Sequence, residues 1–311
     1  MGISRAEALD CFKSDDLIGI GMEADAVRRR LHPEGVVTYT LDGRLDYSTP
    51  EDAILRYIND LTDSGGTSLT LQGTVHPEHT LTWFETLFTS LKKRFPTLWL
   101  HSLSATEIIT IAGQSGLTVR DTIARLHDAG LDSIPSNDAG ILDAAVQSPR
   151  AVLKPSDWLA VHRTAHQLGM QTTAAMVFGS GETFEHRVNH LDALWQLQQE
   201  TGGFTSFTPW SFAPQRSAMR GFEEPTAVEY LKTLAISRMF LDNIENVQSN
   251  LETQGLKVLQ VGLRFGGNDV GSVLLADGAN ATTEEQVRQV IRDSGFRPVQ
   301  RDTLYRTMFL N

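Results

Sequence analysis

The chain has 311 residues, of which 41% are hydrophobic and 21% are charged, and its formal net charge at pH 7 is −11. This length suits two average domains or one large barrel, and the composition supports a full hydrophobic core. The acidic balance argues against nucleic acid and against an anionic membrane surface as partners, because both require clustered Lys and Arg.

Short apolar runs alternate with amphipathic segments along the chain. The first 35 residues predict a helical extension, with one helical segment over residues 5–31. The strands predicted after it cover residues 36–40, 45–47, 68–72, 99–103, 132–134, 172–178, 204–208, 246–248 and 260–264. Helical periodicity lies between them, and a last helix over residues 284–294 precedes a C-terminal tail. No apolar run reaches the roughly 18 residues that span a bilayer. No secretion signal is visible, so we expect a cytoplasmic protein.

Strands that alternate with helices in this way are typical of a parallel sheet. About eight such units without a break in composition predict the α/β class, as a single (β/α)8-like barrel over residues 36–311 behind the helical extension of residues 1–35. No GxGxxG motif follows the first strand, so a dinucleotide-binding fold lacks its main support.

The candidate site follows from this fold, because residues after each strand of such a barrel converge on one mouth. The side chains gathered there suit a polar small molecule. The acid–base candidates are His101, Glu107, Asp138 and Glu182. The predicted ligand-binding residues are Gln72, His76, Ser104, Ser136, Asn137, Ser180, Thr208, Trp210, Gln248, Asn268 and Asp269.

The histidines leave alternatives open. An imidazole at His101 beside Glu107 is suited to acid–base work near neutral pH, but a His at this place can also simply orient its loop. His162 with His166, and His186 with His190, are spaced i, i+4 on predicted helices. Neither of these two pairs has the central Glu of a zinc-binding HExxH motif, so we predict surface histidines and no metal site.

Five motifs follow predicted strands in a fixed order. They are LQG at residues 71–73 with His76-Pro77, HSLSATEI at 101–108, GLDSIP at 130–135, GGFTSFTPW at 202–210 and LRFGGND at 263–269. With them, residues 28–310 resemble the dehypoxanthine futalosine cyclases of the alternative menaquinone pathway, which are radical S-adenosylmethionine (SAM) enzymes. The resemblance implies a radical-SAM barrel, a nucleoside-like substrate and SAM as a cofactor.

The chain departs from this family at the iron–sulfur cluster. The family carries Cys-x3-Cys-x2-Cys in a loop after the strand that corresponds to residues 45–47, whereas here Tyr47-Ser48 runs directly into Thr49-Pro50 and a helix. Cluster iron is held by thiolates, and Cys11 is the one cysteine in the sequence. We therefore predict that no iron–sulfur cluster is bound.

The sequence is compatible with three functions. The first is a clusterless enzyme, a non-radical isomerase, lyase or cyclase that binds a nucleoside-like ligand or SAM. The second is a non-catalytic pseudoenzyme that partners an active radical SAM cyclase, and the third is the cyclase itself with its cluster loop removed. A homodimer is also left open. A partner protein should expose an apolar patch where the loop is missing, whereas an enzyme should have a closed polar pocket.

Overall fold

A computed structural model describes residues 2–136, 138–146, 153–213, 223–274 and 282–307. The helices are α1 (Arg5–Lys13), α2 (Leu17–Leu31), α3 (Glu51–Asp63), α4 (Leu81–Arg94), α5 (Ala105–Ser115), α6 (Val119–Ala129), α7 (Pro155–Gln167), α8 (Phe184–Thr201), α9 (Ala227–Phe240), α10 (Leu251–Gly262) and α11 (Glu284–Asp293). The strands are β1 (Val36–Asp46), β2 (Ser68–Gln72), β3 (Trp99–Leu100), β4 (Thr172–Phe178), β5 (Phe204–Ser211), β6 (Asn246–Val247), β7 (Asp269–Leu274) and β8 (Arg297–Gln300).

The strands form a closed parallel ring. β3, β2, β1 and β7 make one sheet, and β4, β5 and β6 make the other. Parallel bridges join the two sheets, from His101 to Ser133, from Ile134 to Thr172 and from Gln248 to Asp269. These contacts confirm the predicted (β/α)8-like barrel. β8 lies outside this order and pairs with the N-terminal half of β1.

Several predicted elements differ in the structure. Residues 36–46 form one strand, because β1 continues through Gly43 and pairs with β2. A side chain at position 43 would collide with Tyr57 and Leu61 of α3, which explains a glycine inside this strand. The predicted strand over residues 260–264 is wrong, since α10 runs to Gly262. A short apolar run does not distinguish a strand from a buried helix. β7 and β8 were missed.

The N-terminal extension is two helices that pack on the barrel. The predicted single segment is interrupted at Ser14, which caps the end of α1, and at Asp16, whose side chain accepts a hydrogen bond from the Gly19 N–H and so starts α2. Phe12 and Ile20 from these helices belong to the main hydrophobic core. None of the described helices is long and apolar enough to cross a membrane.

The barrel interior is polar, and the alternation of β1 shows why. Val37, Tyr39 and Leu41 are buried in the apolar cluster that packs against α10 and α11. The residues between them point the other way, into the barrel, since side chains alternate across a strand. Thr40 and Asp42 accordingly line the interior. Interiors of such barrels are usually packed with branched apolar side chains, so a polar interior leaves room for a ligand.

Two histidines predicted to lie on the surface are completely buried, His162 and His190. His162 Nδ1 lies 2.9 Å from Thr172 Oγ1, and His190 Nδ1 accepts a hydrogen bond of 2.9 Å from the Leu142 N–H. The i, i+4 spacing was read correctly as helical, but it does not show which helix face packs on the barrel.

His190 should make stability depend on pH. Burial lowers its pKa to about 3, whereas an unfolded histidine titrates near 6.5. The unfolded state therefore binds more protons as the pH falls below about 6.5, and the folded state loses about 2 kcal/mol between pH 7 and pH 5 from this residue. We expect His190→Asn, whose side-chain oxygen can still accept from Leu142, to flatten this dependence by about that amount. Urea denaturation at pH 5, 6 and 7 measures it, and an unchanged slope would contradict the assignment.

Candidate active site

A cavity of about 780 Å³, its opening included, occupies the middle of the barrel. Serine and threonine hydroxyls make up much of its wall, together with amides, charged groups and aromatic rings. The hydroxyl groups belong to Thr40, Ser68, Thr70, Ser136, Thr173, Ser206, Thr208, Ser272 and Thr303. Such a wall offers donors and acceptors to a ligand that carries hydroxyls or amides.

Asp42 contributes a carboxylate to this wall. It accepts hydrogen bonds from Ser68 Oγ on β2, from Ser272 Oγ on β7 and, at 3.0 Å, from Thr40 Oγ1 on its own strand. Three hydroxyls from three neighbouring strands therefore hold this carboxylate in one place on the cavity wall.

His101 lines the same cavity, where β3 ends. Its Nδ1 lies 2.6 Å from Ser133 Oγ. Burial, assisted by the positive charge of Arg301, lowers the pKa of His101 to about 4. The imidazole is therefore neutral at pH 7. It contacts Ser133 and not the Glu107 carboxylate expected from the sequence.

The floor of the cavity is built by residues from the C-terminal tail. Arg301 donates to Asp269 through Nε at 2.5 Å and through Nη2 at 2.8 Å, and the side chains of both residues are almost fully buried. The guanidinium of Arg301 lies 3.8 Å from the centre of the Tyr305 ring. The Tyr305 hydroxyl accepts a hydrogen bond from Gln248, which in turn accepts one from Thr208.

A second compartment of about 840 Å³ adjoins the interior cavity at the mouth. The two share Arg44 and Gln72 as wall residues. The carboxylates of Asp46, Glu107 and Asp138 face this second compartment. The mouth on this side of the barrel is therefore acidic.

The carboxylates of the mouth also hold the backbone in place. Glu107 accepts hydrogen bonds from the N–H and the hydroxyl of Ser104, both at 2.7 Å, and from the Gly73 N–H at 3.2 Å. Ser104 Oγ in turn accepts a hydrogen bond from the Glu107 N–H at 3.4 Å and so caps the start of α5. Burial raises the pKa of Glu107 in spite of these donors. Asp138 accepts from the Thr106 N–H at 2.9 Å and from Trp158 Nε1 at 3.0 Å.

The structure brings together part of the predicted site. The predicted residues that line the interior are Gln72, His101, Ser136, Thr208, Trp210 and Gln248. Ser104, Glu107 and Asp138 line the mouth compartment. His76 lies apart from both, in a groove beside α3 and α4. Asn137 lies outside the described residues.

Three other predicted residues take part in packing. Asn268 is buried and bonds with Arg238, Asn246 and the Val247 N–H. Asp269 is held by Arg301 behind the cavity wall. Ser180 lies in the loop after β4, where its N–H donates to Glu182. None of these three residues belongs to the described wall of either cavity.

Glu182 is the centre of a buried ion-pair network. Its side chain is 0% exposed and accepts from Arg187 Nε at 2.8 Å and from the Gly179 N–H at 2.6 Å. Arg187 also pairs with Glu229 on α9, at 2.5 Å. Glu182 thus ties the loop after β4 to α8 and α9 and does not line the described cavities.

Several wall residues were not predicted from the sequence, among them Asp42, Arg44, Arg301 and Tyr305. A usable signal existed for two of them. Polar residues at every second position from Thr38 to Arg44 mark one face of β1 as polar, which points to the interior of a ligand-binding barrel. Nothing local marks Arg301 or Tyr305, because they reach the cavity through the fold of the tail.

A [4Fe–4S] cluster does not fit the residues present. Cys11, the one cysteine of the sequence, lies on α1 in the N-terminal extension and is partly buried. No group of three or more potential metal ligands is found among the described residues. The three thiolates that would hold such a cluster are not available at the barrel mouth.

Comparison with known proteins shows which family this chain belongs to. Residues 201–310 match the family described as the CofH/MqnC C-terminal region. A cyclic dehypoxanthine futalosine synthase from Halalkalibacterium halodurans is 33% identical over 97% of this chain and 90% of its own length. The one from Streptomyces coelicolor is 34% identical, over 97% and 85%. This chain belongs to the family that includes the cyclic dehypoxanthine futalosine synthases.

The alignment with the first of these relatives is longer than this chain. It extends over 335 positions, although this chain has 311 residues. At least 24 positions of the alignment therefore have no counterpart in this chain.

Solved structures confirm the fold. Methylornithine synthase (PylB) superposes with a TM-score of 0.75 at 14% identity, over 96% of this chain and 94% of that one. The FeFe-hydrogenase maturase HydG from Carboxydothermus hydrogenoformans also gives 0.75, at 13% identity, over 98% and 78%. The chain has the same barrel fold as these two proteins.

Proposed function

We propose that this protein is a clusterless member of its family that binds a nucleoside-like small molecule inside the barrel and moves protons on it without radical chemistry. The observation that carries the proposal is the hydroxyl-lined cavity with a neutral imidazole in its wall. The names of its relatives, cyclic dehypoxanthine futalosine synthases, indicate the class of ligand.

His101 is the proposed base. A neutral imidazole accepts a proton from one atom of the bound ligand and returns it at another, as in an isomerisation or an elimination, and such a step needs no oxidant. The donors on the cavity wall would hold the ligand hydroxyls, and Trp210 would stack on a flat ring. The same groups suit the ribose and adenine of SAM, which makes SAM a second ligand to test.

The large hydrophobic side chains that the described residues expose are Ile18, Met22, Phe184, Val228 and Val261. They lie on α2, α8, α9 and α10. None belongs to residues 46–51, where a partner that replaces the lost loop would be expected to dock. A groove lined in part by the apolar side chains of Tyr47, Ile54, Trp83 and Leu87 lies beside these residues, so a non-catalytic partner is the second candidate function.

Calorimetric titration with dehypoxanthine futalosine and with SAM tests the proposal. We expect saturable binding of at least one of them, weakened roughly tenfold by Trp210→Leu, since base–aromatic stacking contributes about 1–3 kcal/mol. Trp195→Leu, a tryptophan outside the cavity wall, is the matched control. His101→Asn should still bind the ligand but no longer convert it, and mass spectrometry measures this conversion. If the protein binds neither compound at millimolar concentration, the proposal fails.

A further inference from the structure

Arg44 is the one guanidinium on the two described cavity walls with a counter-ion that a ligand could replace. Arg301 also lines the interior, but Asp269 takes its Nε and Nη2 and the Asp302 carbonyl takes its Nη1. Arg44 lies near the end of β1, in the wall of both compartments, and its side chain is 34% exposed. A ligand that enters the barrel would therefore meet this charge at the mouth.

The hydrogen bonds between Arg44 and its counter-ion are long. Glu252 accepts from Arg44 at 3.2 Å to Nη2 and at 3.2 and 3.4 Å to Nη1. Charge-assisted bonds of this kind usually measure about 2.7–2.9 Å, and those between Arg301 and Asp269 in the floor measure 2.5 and 2.8 Å. Glu252 is 34% exposed, so water can solvate its carboxylate when the pair separates.

Glu252 also lies on a segment that is separated from the rest of its helix. It belongs to the first turn of α10, which Gly255 separates from the rest of the helix with φ 67° and ψ 174°. Only glycine adopts such a conformation at low cost, so the turn is a distinct unit at the mouth. Asn250 caps it, and Gln254 ties it to Ser211 on β5.

We infer that Arg44 binds an anionic group of the ligand, such as a carboxylate, and that Glu252 is the exchangeable carboxylate that occupies Arg44 until the ligand arrives. The other carboxylates at the mouth, on Asp46, Glu107 and Asp138, repel an anion. The anionic end of the ligand is consequently directed to Arg44, while its hydroxyls point into the barrel. This assignment rests on the proposed function, since it places one end of the ligand in the same site.

The exchange predicts opposite effects for its two partners. Adenosine and adenosine-5′-carboxylic acid form a matched pair of probes that differ in one carboxylate, and calorimetry measures both on the full chain. We expect the acid to bind more tightly than adenosine. Arg44→Gln should weaken the acid roughly 10- to 100-fold, with little effect on adenosine, because hydrogen bonds to charged groups contribute about 1.5–3 kcal/mol. Glu252→Gln should tighten the acid several-fold, because its competitor is gone.

Two further variants serve as controls. Arg56→Gln removes an exposed arginine paired with Asp52 on α3 and should change neither affinity. Arg44→Lys retains the positive charge but not the bidentate geometry, so it should give an intermediate affinity for the acid. It replaces Arg44→Gln in the comparison if thermal melting shows that Arg44→Gln is unfolded.

The outcomes separate this inference from the proposed function. If adenosine binds but the acid binds no more tightly, or if Glu252→Gln weakens binding of the acid, the exchange at Arg44 is refuted. The proposed nucleoside-binding barrel is not affected by that result. If neither probe binds to the wild-type protein at millimolar concentration, the inference and the proposed nucleoside site fail together.

Discussion

Asp269→Asn is expected to lower the free energy of unfolding by about 3–5 kcal/mol, because it leaves the guanidinium of Arg301 charged and buried without its counter-ion. The Asp269 carboxylate also accepts hydrogen bonds from Thr38 Oγ1 at 2.5 Å and from the Gly271 N–H at 2.7 Å. Burial alone would lower the pKa of Arg301, but the charge of Asp269 raises it above its usual range. The charge of Asp269 thus offsets the cost of burying the charged guanidinium of Arg301.

Urea denaturation measures this loss. Asp52→Asn is the matched control, since Asp52 pairs with Arg56 on the surface of α3 and both side chains are about 70% exposed. An exposed pair of this kind contributes about 0–1 kcal/mol. A double variant, Asp269→Leu with Arg301→Met, should recover part of the stability by removing both charges. A loss below about 1 kcal/mol for Asp269→Asn would show that the pair does not hold the floor of the cavity.

Glu182→Gln is expected to cost about 3 kcal/mol of stability, because Glu182 is the fully buried partner of Arg187. Glu229 retains one bond to Arg187, so the loss of stability should lie at the lower end of the range for a broken buried ion pair. The glutamine oxygen can still accept from the Gly179 N–H, which keeps the loop after β4 in place.

Two readouts distinguish packing from catalysis at this residue. If Glu182 acts through packing, the folded variant binds ligand as the wild type does, and only its melting temperature falls. Glu200→Gln, at an exposed pair with Arg163 on the neighbouring helices, provides the control with a small effect. A variant of unchanged stability that has lost turnover would instead support the catalytic role predicted from the sequence.

Much of the fold could be predicted from the sequence, because its signals are local. β2 and β4 have the predicted bounds, and the last helix differs from its prediction by one residue. Their alternating or apolar patterns and their capping residues act over a few positions. The prediction failed at residues 260–264, where a short apolar run carries no period long enough to separate helix from strand.

The candidate site was predictable only where a strand end and the mouth coincide. His101, Thr208 and Trp210 lie on the interior wall, as expected from their places after or at the ends of strands. Glu182 and Asp269 occupy equivalent places in the sequence but are turned into the packing by arginines. A position in the chain fixes which loop a carboxylate joins, whereas its orientation depends on the nearest opposite charge.

The sequence by itself determined the barrel, the family and the absence of three cluster cysteines, because periodicity, motif order and composition are properties of the chain alone. Only the tertiary structure decided that Arg301 reaches Asp269 from 32 residues away and that Thr38 meets Asp269 across 231 residues. It also decided that Arg44 faces Glu252 across the mouth, 208 residues apart. Such contacts depend on the closure and register of the ring, and no local pattern encodes them.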